Sequence, residues 1–403
     1  MKIAFLDSIY PEHVEQVYKE NPNLKNNSSE EQVEFIRWHA LSSYVRWFEI
    51  LENRGFETCT FNSNLNSVNF TWAKENNYKN CSNNNIWRIG IEKIKRFNPD
   101  MIFVFTPSTY IENNFLTELV ESLNTKPKLV AWYGANCGSE KIFRYFSLTL
   151  SNSKQLVQSL REKEINSEYL QHSFDPIILD NIQSPKKKIN KTVFFGNLDY
   201  SSDDFQPRTE LLQEIASKTK SIDIYGALKK PTLTERFKNK YLDTRHEFSK
   251  SVSNFIPLQK LQYWSDKNNL PTRSLSIKAN FARRVKAPLY GKEMLQKLSK
   301  YKIALNYHNA HTGNYACNMR LFEATGLGCC LLTDNKSDLK DFFTPEKEVI
   351  TYNNLDELEE NINYLIKNPK ICNEISKLGQ KRCLQNHSTD KVLNRFIEIL
   401  NSL

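Results

Sequence analysis

The chain has 403 residues, of which 39% are hydrophobic and 25% charged, and its formal net charge is +9. This length exceeds what one hydrophobic core usually spans, so two domains are expected. No run approaches the roughly 18 apolar residues of a membrane-spanning helix. The short apolar run after Met1 indicates a buried strand rather than a signal peptide. We therefore expect a cytoplasmic protein, soluble or peripheral at the inner face of the membrane.

The N-terminal half alternates apolar strands with segments of helical periodicity. The run Met101–Phe105 is entirely apolar, which is typical of a parallel strand covered on both faces. The polar, asparagine-rich stretch 62–85 is predicted to be a long surface loop. This alternation predicts a doubly wound α/β domain over residues 1–183. Its predicted strands are 3–6, 57–61, 101–105, 129–132, 148–150 and 168–171, and its predicted helices are 42–53, 86–97, 115–123 and 151–163.

A second α/β domain is predicted over residues 191–385, after a linker at 184–190 that contains Pro185 and three lysines. Residues 386–403 include an amphipathic helix that we expect to pack back on the N-terminal domain. The fold class is therefore α/β, with two Rossmann-like doubly wound domains that face a central cleft. The predicted strands are 192–195, 222–225, 303–306 and 329–333, and the predicted helices are 208–218, 293–298, 319–325 and 355–367.

The segment 229–286 interrupts the second domain and is strongly basic, with fourteen Lys/Arg and only four Asp/Glu. It is too long for a plain loop and is predicted to be an insertion with its own helices. Its charge indicates either an anionic partner or a solvated surface. The partner would be a lipid phosphate, an anionic membrane face or a nucleic acid. The aromatic residues that lie among these charges would either stack on bases or form a small core: Phe248, Phe255, Tyr263, Trp264 and Phe281.

The most informative stretch is Lys302–Asp334, which predicts a strand, a polar loop, a helix, a glycine turn and a second strand. The helix begins near Asn318, and a helix N-terminus suits a diphosphate because its N–H groups are unpaired. Arg320 adds a guanidinium that can bind phosphate bidentately. Glu323, one turn later, can accept hydrogen bonds from the vicinal hydroxyls of a ribose. The alternative is an ordinary i,i+3 ion pair between Arg320 and Glu323.

The C-terminal part resembles the CgeB-like spore-protein glycosyltransferases, which are related to glycosyltransferase family 4. Matching motifs start with Phe194–Asn197 and Arg208 and end with Gly379, Gln380, Arg382 and His387. Between them lie Ala287–Gly291, Ile303–Asn306 with His308, Asn318, Arg320, Phe322-Glu323, Gly326, Gly328, Leu332–Asp334 and Glu348–Tyr352.

The resemblance implies a GT-B glycosyltransferase that needs no bound metal and uses a nucleotide sugar, with UDP- and GDP-sugars as the expected co-substrates. It implies that Glu323 holds the ribose and that Arg208 and Arg320 hold the diphosphate. Gly196 and Asn197 would pass close to the diphosphate, while Asn306 and His308 would line the donor-sugar pocket.

The chain departs from the family pattern at two places. Tyr315 stands where retaining family 4 enzymes carry a glutamate, eight positions before the ribose-binding one. Gly134–Asn136 replaces an Asp-Asp-Pro motif that many CgeB-like chains have. Whether the reaction retains or inverts the sugar configuration therefore stays open.

An inverting reaction needs a general base near the acceptor hydroxyl. The candidates are Asp7, His13 and the loop 106–110, because they follow N-terminal strands. His13 is alternatively a solvent-exposed loop residue. His39 is expected to be a packed helix residue, and His172 either reaches the cleft or makes a hinge contact. Asn136 and Ser139, which lie near glycines, are candidates to bind acceptor or phosphate through backbone N–H groups.

Three functions are compatible with the sequence. The first is sugar transfer from a nucleotide sugar to a glycan, lipid-linked or protein acceptor in surface polysaccharide or glycoconjugate biosynthesis. The second is a protein that binds or glycosylates nucleic acid through the segment 229–286. The third is a nucleotide-sugar epimerase on the same fold. The eight cysteines contain no CxxC pair, so no metal site is predicted.

Overall fold

The N-terminal domain is built on a six-stranded parallel sheet. The computed structural model describes residues 1–41, 47–79, 86–105, 107–112, 114–134, 140–198, 205–228, 233–252, 259–265 and 277–403. The strand order is β2-β1-β3-β4-β5-β6. The strands are β1 (Lys2–Asp7), β2 (Glu57–Asn62), β3 (Met101–Phe105), β4 (Lys128–Trp132), β5 (Leu148–Ser151) and β6 (Ser167–Tyr169). The helices are α1 (Pro11–Glu20), α2 (Ser29–Ala40), α3 (Trp47–Glu52), α4 (Asn66–Glu75), α5 (Ile86–Phe97), α6 (Pro107–Glu112), α7 (Phe115–Ser122), α8 (Lys154–Glu162) and α9 (Ile177–Asn181).

Both faces of this sheet are covered, as the apolar strands predicted. Successive residues of a strand point to opposite faces. Accordingly, Phe103 lies in one hydrophobic cluster and its neighbour Val104 in another on the other side of the sheet. This arrangement explains why β3 is apolar at every position and fully buried.

The C-terminal domain contains a second six-stranded parallel sheet, with the order β12-β11-β10-β7-β8-β9. The two sheets confirm the prediction of two Rossmann-like α/β domains. The strands are β7 (Ile189–Phe195), β8 (Ile222–Tyr225), β9 (Val285–Lys286), β10 (Tyr301–Asn306), β11 (Cys330–Asp334) and β12 (Ile350–Tyr352). The helices are α10 (Gln206–Lys218), α11 (Leu233–Val252), α12 (Gln259–Ser265), α13 (Ala279–Arg284), α14 (Gly291–Leu298), α15 (Arg320–Gly326), α16 (Leu355–Lys367), α17 (Pro369–Asn386) and α18 (Thr389–Asn401).

The basic segment 229–286 forms most of the connection between β8 and β9. Helices α11 and α12 pack against each other within it. The last two residues of the segment are strand β9 and pair with β8, so they belong to the sheet. Phe281 is buried in the domain core, whereas Phe248 and Tyr263 are exposed. Phe255 lies outside the described residues.

The chain passes between the domains near Phe174 and Ser388. Backbone hydrogen bonds join Phe174 to His387 and Thr389, which brings the two crossing segments together. Helix α18 then packs its apolar face, including Phe396, against the N-terminal sheet. Phe396 lies 5.3 Å from Phe103 and 5.2 Å from Trp47, measured between ring centroids.

Several predicted elements differ from the structure. The stretch 62–85, predicted to be a loop, contains helix α4, whose Val68 and Ala73 are buried. That helix has a weak apolar periodicity, and burial against α2 and α5 stabilises it instead. Helices α1 and α2 were not predicted. Residues 42–46 of the predicted helix 42–53 lie outside the described residues, and β7 already begins at Ile189, within the predicted linker.

Among the described residues, no helix is long and apolar enough to cross a membrane.

Candidate functional site

The C-terminal sheet reverses its strand order between β7 and β10. In open parallel sheets, ligands bind in the crevice outside the carboxyl ends of the strands at such a reversal. Gly196 and Asn197 follow β7 directly, and Tyr307 and His308 follow β10. The sequence-predicted residues Gly196, Asn197 and His308 therefore lie at the edge of the sheet where a ligand is expected.

The loop after β7 is packed tightly against the loop after β8. Gly196 donates its N–H to the carbonyl of Tyr225 over 3.2 Å. A Cβ at Gly226 would clash with the carbonyl oxygen of Gly196, and a Cβ at Gly196 would lie 2.8 Å from the ring of Phe194. Gly226 therefore requires glycine for close backbone approach, whereas the neighbour of Gly196 is the end of a side chain.

Arg208 places a buried cation beside this loop. It lies in the first turn of α10 with 6% of its surface exposed. Its Nη2 donates to the carbonyl of Tyr307 over 2.8 Å and also to the side-chain oxygen of Asn309. Burial lowers the pKa of Arg208 to about 10, so the guanidinium stays charged at neutral pH. Its Nε has no hydrogen-bond partner.

Asn318 and Asn306 join the start of the next helical segment to the end of β10. The side-chain amide of Asn318 donates to Asn306 Oδ1 and to the carbonyl of Tyr307, each over 3.0 Å. Asn306 in turn donates to Thr333 Oγ1 over 3.0 Å. The two predicted asparagines are thus in direct contact and hold the β10 loop in place.

His308 is oriented by Asp334 at the end of β11. Asp334 Oδ1 lies 2.7 Å from His308 Nδ1 and accepts the backbone N–H of His308 over 3.0 Å. A carboxylate accepts hydrogen bonds, so Nδ1 carries a proton in this contact. In the neutral ring Nε2 is then an acceptor, and it is buried without a partner. Burial alone would raise the pKa of Asp334, but His308 and Lys336 outweigh it and the pKa is lowered.

Arg320 and Glu323 form the ion pair that was the alternative interpretation of the sequence. Arg320 Nη1 lies 2.7 Å from Glu323 Oε2, and the side chains are 16% and 14% exposed. The guanidinium also contacts Met294 Sδ at 3.0 Å and stands 5.7 Å from the ring centre of Phe195. Arg208 stands 5.8 Å from the ring centre of Phe194, the residue before Phe195 in β7. Both cations therefore lie at the end of β7, on the same crevice.

The N-terminal sheet reverses its order between β1 and β3, and Asp7 ends β1. Its Oδ1 accepts the N–H of Ser8 over 2.7 Å. Burial raises the pKa of Asp7 to about 6, although Ser8 and Arg37 oppose the rise. The hydroxyl of Tyr110 donates to the carbonyl of Asp7 over 2.5 Å. A carboxyl with this pKa suits proton transfer near neutral pH.

His13 is not the exposed loop residue that the sequence allowed. It lies within α1, is 2% exposed, and neither ring nitrogen has a hydrogen-bond partner. Its ring centre is 5.2 Å from that of His39, which is packed as predicted for a helix residue. Burial lowers the pKa of His13 to about 4.

The remaining sequence-predicted candidates are His172, the loop 106–110, Asn136 and Ser139. His172 is buried 5.4 Å from the ring of Trp132, and burial lowers its pKa to about 3. Of the loop 106–110, residues 107–110 begin helix α6, and residue 106 lies outside the described part of the chain, as do Asn136 and Ser139. No group of three or more His, Cys, Asp or Glu able to hold a metal ion occurs among the described residues.

Sequence reasoning did not select Asp334 or Asn309, although both contact predicted site residues. The available signal was their position, since each follows closely on the carboxyl end of a strand at the crevice. Asp334 stood out in the sequence only as the last residue of the motif Leu332–Asp334. Its partner His308 is 26 residues away, and only the pairing of β10 with β11 brings them together.

Direct contacts join the two domains beside this crevice. Asn152, which follows β5, donates to the carbonyl of Cys317 over 2.7 Å. Lys154 pairs with Asp338 at 3.0 Å and with Asp341 at 2.7 Å. The loop between β10 and α15 is therefore held by both domains.

Residues 208–398 match the family model for glycosyl transferase-like proteins. No curated protein sequence matches the chain significantly.

Among solved structures, HepE from Anabaena in complex with UDP-glucose is similar over 100% of both chains, with a TM-score of 0.54 and 13% identity. Sucrose-phosphate synthase from Thermosynechococcus elongatus has a TM-score of 0.52 and 10% identity over 100% of this chain and 98% of its own. An α-glucosyltransferase in complex with UDP-glucose and DNA containing an abasic site has a TM-score of 0.56 and 10% identity over 100% and 99%. The chain thus has the GT-B fold over its whole length, and residues 208–398 carry the sequence pattern of the glycosyl transferase-like family.

Proposed function

We propose that this chain is a glycosyltransferase of the CgeB-like type, related to glycosyltransferase family 4, which takes a sugar from a nucleoside-diphosphate sugar. The observation that carries the proposal is the pair of largely buried guanidinium groups at the strand-order reversal. The two guanidinium groups repel each other, although Glu323 pairs with Arg320 and the charge of Asp334 acts on Arg208. A diphosphate would bind both, because guanidinium groups bind phosphate oxygens bidentately.

The remaining donor contacts follow from the same placement. Gly196 and Asn197 would bring backbone N–H groups near the diphosphate, since no Cβ separates Gly196 from the crevice. Glu323 would accept hydrogen bonds from the ribose. Asn306, held by Asn318, and His308, held by Asp334, would line the donor-sugar side. The unpartnered Nε2 of His308 would then contact a sugar hydroxyl.

The acceptor would bind from the N-terminal domain, whose own strand-order reversal carries Asp7. In an inverting course, the Asp7 carboxylate takes the proton of the acceptor hydroxyl while that oxygen forms the bond to the anomeric carbon. The bond from the anomeric carbon to the phosphate oxygen breaks, and the nucleoside diphosphate leaves on Arg208 and Arg320. His13 remains a second candidate base by sequence position, but its burial within α1 favours Asp7. Stereochemistry is decided by nuclear magnetic resonance of the anomeric proton in the product.

UDP-sugars are the first donors to test, with GDP-sugars next. HepE and the α-glucosyltransferase, both similar in fold, have structures in complex with UDP-glucose. We expect at least one member of a panel of UDP-, GDP-, CMP- and TDP-sugars to raise the melting temperature. Arg320→Ala and Glu323→Ala should lose that shift and the release of nucleoside diphosphate, whereas the exposed Arg395→Ala and Glu374→Ala should keep both. No response to any nucleotide, with all variants equal to the wild type, contradicts the proposal.

The exposed face of α11 supports a lipid-linked acceptor at an anionic membrane surface. Phe237, Tyr241 and Phe248 are 72%, 63% and 62% exposed, and their spacing places them on one helix face. Aromatic side chains favour the membrane interface, and each nearby Lys or Arg adds about 1 kcal/mol at an anionic lipid surface. Nucleic acid is the second candidate partner, because exposed aromatics beside basic residues can also stack on bases.

An epimerase would convert the nucleotide sugar without releasing nucleoside diphosphate and without an acceptor. Following both products in one reaction therefore separates it from a transferase.

A further inference from the structure

Two tyrosines from different domains face each other beside Glu323. Tyr10 lies in the loop between β1 and α1, and Tyr290 immediately precedes α14. Their ring centres are 6.2 Å apart and their planes are inclined by 35°. Tyr10 is 71% exposed. An aromatic side chain this exposed contributes little to a core, and its ring contact is with Tyr290 of the other domain.

The surrounding contacts hold both tyrosines at this junction. Gly291 follows Tyr290 with a φ of +49°, and a Cβ there would lie 2.6 Å from the carbonyl oxygen of His39 in α2. Gln16 of α1 donates to Glu293 of α14 over 3.2 Å. The loop that carries Tyr290 is thus fitted directly against the helices that follow Tyr10.

Glu323 lies within electrostatic reach of the same place. The pKa of the Tyr10 hydroxyl is raised, first by partial desolvation and then by the carboxylate of Glu323. Met294, one turn after Tyr290, contacts the Arg320 partner of Glu323. Under the proposed function, Glu323 holds the ribose of the donor. Because Tyr290 stands one turn before Met294, which contacts Arg320, a base attached to that ribose would lie on the side of the two rings.

The two rings contact each other at a centre-to-centre distance that is usual for an aromatic pair. Stacked atoms meet at about 3.5 Å, so a sandwiched ring needs about 7 Å between its two neighbours. The ring centres, which are 6.2 Å apart with a 35° tilt, would have to separate and align for a base to enter. A small opening of the two loops would align the rings and admit a base, and the exposed side of Tyr10 leaves an entry from solvent.

We propose that Tyr10 and Tyr290 form a two-sided stacking site for the nucleobase of the donor, with one wall from each domain. This inference rests on the proposed function and assigns its base-binding part. Because the walls belong to different domains, the bound base joins the domains while the diphosphate and ribose stay on the C-terminal one. Stacking depends on the flat face of the base, so this site contributes to affinity with little discrimination among bases.

The test compares UDP with 5,6-dihydro-UDP, which has the same phosphates, ribose and hydrogen-bonding edge but a non-planar base. Dissociation constants are measured by calorimetry for the wild type, Tyr10→Ala, Tyr290→Ala, Tyr10→Phe and Tyr290→Phe. Tyr145→Ala is the matched control, because Tyr145 is also exposed, at 60%. A stacked base contributes enough that we expect the wild type and the control to prefer UDP about tenfold.

Each alanine variant should bind UDP about tenfold more weakly than the wild type and lose most of the preference for UDP over dihydro-UDP. Each phenylalanine variant should keep the wild-type affinity for UDP and the same preference. A merely structural role would weaken the two ligands equally, which overturns the proposal. Loss of preference in only one alanine variant overturns the two-sided site. If the wild type binds UDP and both alanine variants match it, the stacking site is wrong while the proposed function stands. A wild type that binds no nucleoside diphosphate contradicts the proposed function itself.

Discussion

Replacing Glu323 by Gln tests the assignment of the ribose site. The substitution keeps the size of the side chain and one acceptor oxygen but removes the charge. It also leaves Arg320, whose Nη1 lies 2.7 Å from Glu323, without its counter-ion. Two effects of opposite sign therefore act on a bound nucleoside diphosphate, one at the ribose and one at the phosphates.

The ribose effect should prevail for UDP. A hydrogen bond to a charged group contributes about 1.5–3 kcal/mol, and a neutral one about 0.5–1.5 kcal/mol. Loss of the charge therefore costs about 1–1.5 kcal/mol for each of the two ribose hydroxyls, and the freed Arg320 offsets part of this at the phosphates, so we expect a net loss of roughly tenfold in affinity. The freed Arg320 lies near Arg208, and the increased positive charge favours phosphate. Inorganic pyrophosphate, which has no ribose, should consequently bind Glu323→Gln as tightly as the wild type or more tightly.

Calorimetric titration with UDP, 2′,3′-dideoxy-UDP and pyrophosphate separates these effects. We expect the wild type to bind the dideoxy compound about tenfold more weakly than UDP, and Glu323→Gln to show little difference between them. Glu374→Gln is the matched control on the surface. Two results would refute a contact between Glu323 and the ribose. One is that Glu323→Gln weakens the affinity for all three ligands equally. The other is that the variant still binds UDP about tenfold more tightly than the dideoxy compound.

Three further predictions follow. Asp7→Asn should keep UDP affinity and abolish transfer, and the wild-type rate should rise with pH through about 6, because the base must be deprotonated. Folding raises the pKa of Asp7 from 3.8 to about 6. The charged carboxylate therefore lowers the stability of the folded chain above pH 6 and has no effect below about pH 4. Asp7→Asn should accordingly raise the melting temperature at pH 8 but not at pH 4. Gly226→Ala should lower the free energy of unfolding by about 1–3 kcal/mol and weaken UDP binding, because the added Cβ displaces Gly196. Denaturant unfolding measures the first effect and calorimetry the second. Unchanged values of both would contradict the close packing. Phe237→Ala combined with Phe248→Ala should reduce sedimentation with anionic liposomes and leave UDP binding unchanged, whereas salt-dependent binding to oligonucleotides without liposome binding would favour nucleic acid instead.

Much of the fold was readable from local patterns. The apolar run of β3 and the helical spacing of α16 predicted both elements at their observed bounds. Such patterns arise between residues that are neighbours along one strand or helix, so the sequence displays them directly. Helix α4 shows the limit, because its periodicity is weak and its stability depends on packing against α2 and α5.

The candidate site divides in the same way. The sequence by itself determined that Gly196, Arg208 and the stretch from Asn306 to Glu323 follow strands or begin helices of a doubly wound domain, and the family pattern drew attention to them. Only the tertiary structure decided their partners: the order of β7 and β10 places Arg208 against the loop after Asn306, and the domain contact sets Tyr10 beside Tyr290. These pairs are separated by about a hundred residues or more, and contacts at such distances depend on strand order and domain packing, which no local periodicity encodes.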